Sequence, residues 1–253
     1  MKKRYGQHFI SDRNLLRKIV QFARIERSSD VVEIGPGAGS LTRELALHCE
    51  RVVAIEIDRD LIAFLKSSLP ANAEVVEGDA LQIGFGDLSV KRFQLVGNLP
   101  YNVATALLKK FIENRGRIID ITIMLQKEVA ERVCAKPDNR EYGPLSILVQ
   151  YYATPTWGFV VPPGAFTPKP KVDSAVIRLE WRPKVEYNPA FTDFVHRTFS
   201  SRRKKFLNNL VAMLPSRSRS EIAGILRAAD LSLDVRAESL SVEQFLRVYN
   251  LTL

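Results

Sequence analysis

Cysteine is nearly absent from this sequence, with Cys49 and Cys134 the two in 253 residues and no CxxC spacing. That excludes a disulfide framework and points to a reducing compartment. The three histidines, His8, His48 and His196, are scattered. No spacing resembles a zinc site, so no metal is expected. No apolar run approaches the roughly 20 residues that cross a bilayer. The start, MKKRYGQHFISDRN, is basic but lacks the apolar stretch of a secretory signal. A cytoplasmic protein with no membrane association is the expectation. Internal repeats and low-complexity tracts are lacking as well.

What is present is ordinary for a globular chain, 46% hydrophobic and 26% charged, and long enough to bury a sizeable core. The charge is less ordinary. Lys plus Arg is 37 against 28 Asp plus Glu, a net of +9. An excess of that size favours a polyanionic partner, nucleic acid first.

An amphipathic helix is predicted from about Asp12 to Arg24, capped by Ser11 or Asp12. Strands and helices then alternate. Strands are read at Val31–Ile34, Arg51–Ile57, Glu74–Glu77, Phe93–Gly97 and Ile118–Leu125. Helices are read at Leu41–His48, Asp60–Leu69 and Thr105–Asn114. Such alternation implies a parallel sheet with helices on both faces. Two further helices are read over Glu128–Ala135 and Leu145–Ala153. Five of the 13 prolines fall between Pro155 and Pro170. Candidate strands Trp157–Val161 and Ser174–Trp181 flank the loop PPGAFTPKPKVD. Beyond Arg182 only helices are predicted. Residues 182–253 carry 12 Lys/Arg against seven Asp/Glu, a net of +5. The chain is therefore divided into a domain over 1–181 and a small, basic helical domain over 182–253.

The run Glu33-Ile34-Gly35-Pro36-Gly37-Ala38-Gly39 takes a strand into glycines and then into a helix. Its spacing is GxGxG, not the dinucleotide GxGxxG, and no GK[ST] follows to make a P-loop. Glu56 ends the second strand, where a carboxylate would accept from ribose hydroxyls. Asp79 ends the third strand, where it could accept from an adenine amine. Taken singly, these are an ordinary turn, a solvated strand end and a helix cap. At the ends of successive strands they read as a nucleoside site, suited to NAD or S-adenosylmethionine.

Asn98-Leu99-Pro100-Tyr101 ends the fourth strand and decides between the two cofactors. The exocyclic amine of adenine is a poor nucleophile because its lone pair is delocalised into the ring. Accepting both N–H hydrogens at once localises that pair. The Asn98 side-chain oxygen and the Leu99 carbonyl can do so together. Pro100 fixes the backbone, and Tyr101 offers a face for stacking, about 1–3 kcal/mol per base. Methyl transfer from a sulfonium then needs positioning and electrostatics more than a strong base.

These residues resemble the ribosomal RNA small-subunit adenine N6,N6-dimethyltransferases over nearly the whole length. The resemblance includes Tyr5-Gly6-Gln7-His8-Phe9, Glu33 to Thr42, Glu56, Gly78-Asp79-Ala80 and Gly97 to Asn102. It continues through Leu125 to Arg132, Tyr142 to Ser146, Phe166 to Ser174 and Arg202-Arg203-Lys204-Lys205. It implies a Rossmann-like seven-stranded methyltransferase sheet with helices on both faces and a small all-helical C-terminal domain. S-adenosylmethionine is implied as methyl donor, held by His8, Ile10, Gly35, Gly37, Glu56, Ile57, Asp79, Ala80 and Asn98. His8 and Ile10 would meet its methionine end. Tyr101 and Phe166 would sandwich the target base. The implied substrate is a pair of adjacent adenosines in the 3′-terminal hairpin of small-subunit rRNA, within an immature small subunit.

In such an enzyme Arg202, Arg203, Lys204 and Lys205 would contact phosphates, and Lys2, Lys3 and Arg4 would extend the same surface. Glu128 and Glu131 are read as a solvated helix face, without a catalytic role. A monomer is expected. Alternatives are a large-subunit rRNA adenine methyltransferase of the macrolide-resistance type, a DNA adenine methyltransferase, and a mainly non-catalytic ribosome assembly factor. The large-subunit enzymes typically carry Asn-Ile-Pro-Tyr where this chain has Leu99.

Overall fold

The computed structural model describes residues 8–201 and 204–253. Lys2, Lys3, Arg4, Arg202 and Arg203, and Tyr5 to Gln7 of the first motif, lie outside the described residues. Contacts divide the chain into two units. One runs to Ala130 and resumes over Pro155–Trp181; the other combines Glu131–Thr154 with Arg182–Leu253. The boundary expected at 181/182 is thus only part of the division, because residues 131–154 go with the second unit. Tyr142, Ile147 and Leu148 are apolar side chains that complete the helical core, which the order of the sequence does not reveal.

The first unit begins with β1 (Phe9–Ile10) and α1 (Arg13–Ala23). Asp12 caps α1, its carboxylate accepting from the backbone of Asn14 at 2.8 Å. Leu16, Ile19 and Val20 recur at helical spacing and are buried, each burial contributing about 2 kcal/mol. Then come β2 (Asp30–Ile34), α2 (Ser40–Ala46), β3 (Arg51–Glu56), α3 (Arg59–Ser68) and β4 (Ala73–Glu77). They are followed by β5 (Phe93–Asn98), α4 (Ala104–Glu113), β6 (Ile118–Gln126) and α5 (Lys127–Cys134). After α6 (Pro144–Tyr152) the chain returns as β7 (Ala153–Val161), β8 (Phe166–Thr167) and β9 (Ser174–Trp181).

One sheet has seven strands in the order β4-β3-β2-β5-β6-β9-β7. β2 to β6 pair in parallel, as the alternation requires. β9 runs antiparallel to β6. Val31, Val52, Val96, Met124 and Val176 pack on one side with the apolar stripes of α1 and α2. Val32, Val53, Leu95, Ile123 and Ile177 alternate with them and are also buried. Burial of both faces is what near-continuous apolar strands imply. β1 and β8 form a separate two-stranded antiparallel ladder, pairing Phe9 with Thr167 and Ile10 with Phe166.

The second unit contains α6 and then α7 (Pro189–Thr198), α8 (Phe206–Met213), α9 (Arg219–Ala228) and α10 (Val242–Thr252). Its core is aromatic, with Phe191, Phe206 and Phe245 fully buried. Reciprocal caps start α9 (Ser218 with Glu221) and α10 (Ser241 with Gln244). Buried Asn209 donates to the carbonyls of Thr198 (2.7 Å) and Ser201 (3.2 Å), fixing the chain just before the basic run.

Candidate active site

The strand order reverses between β2 and β5: the chain builds outward to β4, then returns to β5 on the other side. A switch of that kind opens a crevice at the carboxyl ends of the strands. A cavity of about 230 Å³ lies there. His8, Ile10, Gly35, Gly37, Glu56, Ile57, Asp79, Ala80 and Asn98 all line it, as do Leu99, Pro100 and Tyr101. Register brings them together. Ile34 pairs with both Ile55 and Gly97, and Glu56 pairs with Glu77, so the four strands end along one line.

The glycine loop adopts left-handed backbone at Gly35, Gly37 and Gly39. At Gly37 the requirement is doubled, because a Cβ there would lie 2.6 Å from the Phe9 ring. The Gly37 N–H donates to Glu56 Oε2 at 3.1 Å. Glu56 Oε1 accepts from Ile57 N (3.0 Å) and Asp58 N (2.9 Å). A carboxylate offers about four acceptor positions, so Oε2 keeps capacity for an incoming hydroxyl. Burial pushes the Glu56 pKa up, and the three backbone donors pull it back toward ionisation.

Asp79 does cap its own turn, with Oδ1 accepting from Leu81 N at 2.8 Å, and it also lines the cavity. Asn98 Nδ2 donates to the His8 carbonyl at 3.0 Å. That bond leaves Oδ1 as the free end of the amide. Leu99 is buried, and its N–H donates to Met124 O at 3.1 Å, so only its main chain can serve the site.

The aromatic pair departs from expectation. Tyr101 stands at the cavity, but Phe166 is buried on β8 and does not line it. The His8 ring lies against both, stacked on Tyr101 with centroids 5.6 Å apart and edge-on to Phe166 at 6.3 Å. His8 Nδ1 donates to the Pro168 carbonyl at 2.7 Å, which ties the two short strands together beyond their ladder. Tyr101 Oη and Ser174 Oγ share a hydrogen bond of 2.7 Å. Burial raises the Tyr101 pKa and the Ser174 bond opposes that.

Two residues that the resemblance names only as members of matched motifs were given no role of their own. Glu33 is buried on β2, lines the cavity, and has an Oε2 with no hydrogen-bond partner. Burial, opposed by the Thr42 hydroxyl and reinforced by the charge of Glu56, pushes its pKa up to about 8. An acid within an otherwise apolar strand was the available signal. Ser174 ends the matched segment from Phe166, but its bond to Tyr101 left no local trace, since the two are 73 residues apart in sequence.

In the second unit, Lys204 is exposed and Lys205 Nζ pairs with Asp234 at 2.5 Å. No cluster of metal-ligating side chains occurs among the described residues. Nor, among them, is any helix long and apolar enough to cross a membrane.

A crevice at this switch point, walled by acceptors and closed by an Asn-Leu-Pro-Tyr turn, belongs to the Rossmann-like methyltransferases. The family model for ribosomal RNA adenine dimethylase matches residues 1–252, and the chain is a member of that family. Ribosomal RNA small subunit methyltransferase A of Clostridioides difficile is 42% identical over 254 residues, covering 96% of this chain and 88% of that one. A dimethyladenosine transferase from Plasmodium falciparum has a TM-score of 0.82 at 27% identity, covering 95% of this chain and 96% of that one. The 23S rRNA methyltransferase ErmE has a TM-score of 0.76 at 26% identity, covering 96% of this chain and 98% of that one.

Proposed function

We propose that the chain transfers methyl groups from S-adenosylmethionine to the N6 amines of two adjacent adenosines in the 3′-terminal hairpin of small-subunit rRNA. The product is N6,N6-dimethyladenosine, made during ribosome assembly in the cytoplasm. The observation that carries this reading is the orientation of Asn98. Nδ2 is held by the His8 carbonyl and Asn98 lines the cavity, so Oδ1 is the end of the amide left to accept an amine hydrogen.

The residues present fit the cofactor. Its sulfonium and ammonium are cationic, and its adenosine offers hydroxyl and amine donors. The cavity answers with acceptors, and buried Glu33 Oε2 stands there without a partner. Glu56 would take the ribose, Asp79 and Ala80 the adenine, and His8 and Ile10 the methionine end, with the loop of Gly35 and Gly37 close to the backbone of the ligand. When bound, S-adenosylmethionine supplies a methyl group activated by the positive sulfur.

The chain itself localises the lone pair of the target amine. Asn98 Oδ1 and the Leu99 carbonyl accept its two hydrogens, and Pro100 holds their relative direction. Tyr101 stacks on the base. Phe166 would complete the sandwich only once the His8 ring leaves its place against both aromatic rings. Such preorganised acceptors typically contribute 10²–10³ in rate. Lys204 and Lys205, with Arg202 and Arg203, would hold RNA phosphates, which supplies affinity and position rather than sequence.

A higher identity to a small-subunit enzyme than to the large-subunit one favours the small-subunit substrate. The test uses methyl-labelled S-adenosylmethionine with undermethylated small- and large-subunit particles, followed by digestion to nucleosides. Labelled N6,N6-dimethyladenosine from small-subunit particles alone is expected. Label in large-subunit RNA alone would reassign the substrate. No label in either would leave a non-catalytic assembly role.

A further inference from the structure

We infer that Ser174 is a positioning residue for the reaction, setting the plane in which Tyr101 presents the target base. The inference rests on the methyl-transfer reading above and deepens it at the same site.

Ser174 is the first residue of β9 and is fully buried. Its Oγ is bonded to Tyr101 Oη at 2.7 Å. Tyr101 sits in the irregular turn between β5 and α4, where no ladder holds it. Its hydroxyl is the far end of the side chain, so anchoring there restrains the tilt of the whole ring. The Ser174 hydroxyl is buried, so it is costly to leave without this partner.

The anchor shares a frame with the amine acceptors. Asn98 of β5 pairs with Met124 of β6. Met124 pairs with Val176 of β9, and Gln126 pairs with Ser174. The Leu99 N–H is also held by the Met124 carbonyl. Strand β6 therefore indexes both the acceptors for the amine and the anchor of the stacking ring. This matters because the lone pair of an adenine amine projects perpendicular to the purine plane. A tilt of Tyr101 tilts the base and turns that pair away from the methyl carbon. The acceptors would then hold hydrogens of a misdirected nucleophile. The loss should fall on turnover, because a loosened ring still offers a stacking face.

Ser174→Ala is expected to lower kcat roughly three- to tenfold, the worth of one neutral hydrogen bond. KM for the small-subunit particle and Kd for S-adenosylmethionine should change less than about twofold. Tyr101→Phe removes the same bond from the other side. The double variant Ser174→Ala/Tyr101→Phe should then be no slower than Tyr101→Phe alone.

A readout without substrate or cofactor accompanies the kinetics. In protein labelled with 3-fluorotyrosine, the Tyr101 resonance is the one missing from Tyr101→Phe, and it should shift in Ser174→Ala. A Ser174→Ala enzyme with unchanged kcat, multiplicative losses in the double variant, or an unmoved resonance would each overturn the inference. Failure of the wild-type protein to methylate any rRNA would overturn the functional reading and this inference with it. Methylation by wild type and by Ser174→Ala at equal rates would overturn this inference alone.

Discussion

The backbone N–H of Gly37 donates to the buried carboxylate of Glu56 across 3.1 Å, joining the glycine loop after β2 to the end of β3. Two motifs separated by 19 residues are therefore one structure. The loop needs glycine to reach the acid, and the acid fixes the loop before any ligand arrives.

Gly37→Ala should disturb both at once. Alanine there must adopt φ near +57° and would place its Cβ 2.6 Å from the Phe9 ring. A stability loss of about 1–3 kcal/mol is expected from the strain. Calorimetry should show S-adenosylmethionine affinity reduced at least tenfold. Glu56→Gln tests the partner more gently. Its Oε1 can still accept from Ile57 and Asp58, while its amide faces the Gly37 N–H donor to donor. Affinity should fall, whereas Glu56→Gln binding as tightly as wild type would move the ribose elsewhere.

Glu33 predicts a pH dependence. Its pKa rises from the ordinary 4.5 to about 8 in the folded protein. Between those values the unfolded chain has lost the proton that the folded chain keeps. The native state binds more protons, so this group's contribution to stability falls as pH rises from about 4.5 to about 8 and levels off above. Glu33→Gln removes the dependence. Relative to wild type it should gain stability steadily over that window, by at most about 1.4 kcal/mol per pH unit. Urea midpoints measured from pH 5 to pH 9 check the sign, and parallel curves for the two proteins would contradict it.

Asn98→Ala should reduce single-turnover methylation by about 10²–10³. Particle binding should stay within a few-fold, because phosphate contacts carry affinity. Filter binding alongside the rate assay separates the two. Loss of binding by a folded variant would assign Asn98 to RNA capture instead.

Replacing Arg202, Arg203, Lys204 and Lys205 by glutamine should weaken RNA binding and flatten its dependence on salt concentration. Lys205→Gln alone should do least, because its ammonium already pairs with Asp234. An unchanged slope in the fourfold variant would remove the run from the RNA surface.

The strand-end groups Glu56, Asp79 and Asn98 were readable from the chain because each stands at or just past the end of a strand in the β–α alternation, and parallel strands end on a common edge. The helices α1 and α7 to α10 were readable from their spacing. β1 and β8 were not, since a two-residue ladder has no periodicity. Nor was the transfer of residues 131–154 to the helical unit, which depends on where apolar faces find partners. The sequence by itself determined the order of strands and helices, the glycine loop and the chemistry of the Asn98–Tyr101 turn, because period and spacing are local properties. Only the tertiary structure decided that Ser174 holds Tyr101, that His8 lies against Tyr101 and Phe166, and that Glu33 stands buried without a partner for Oε2. Those are contacts between distant segments, set by strand register and close packing, and local spacing does not encode them.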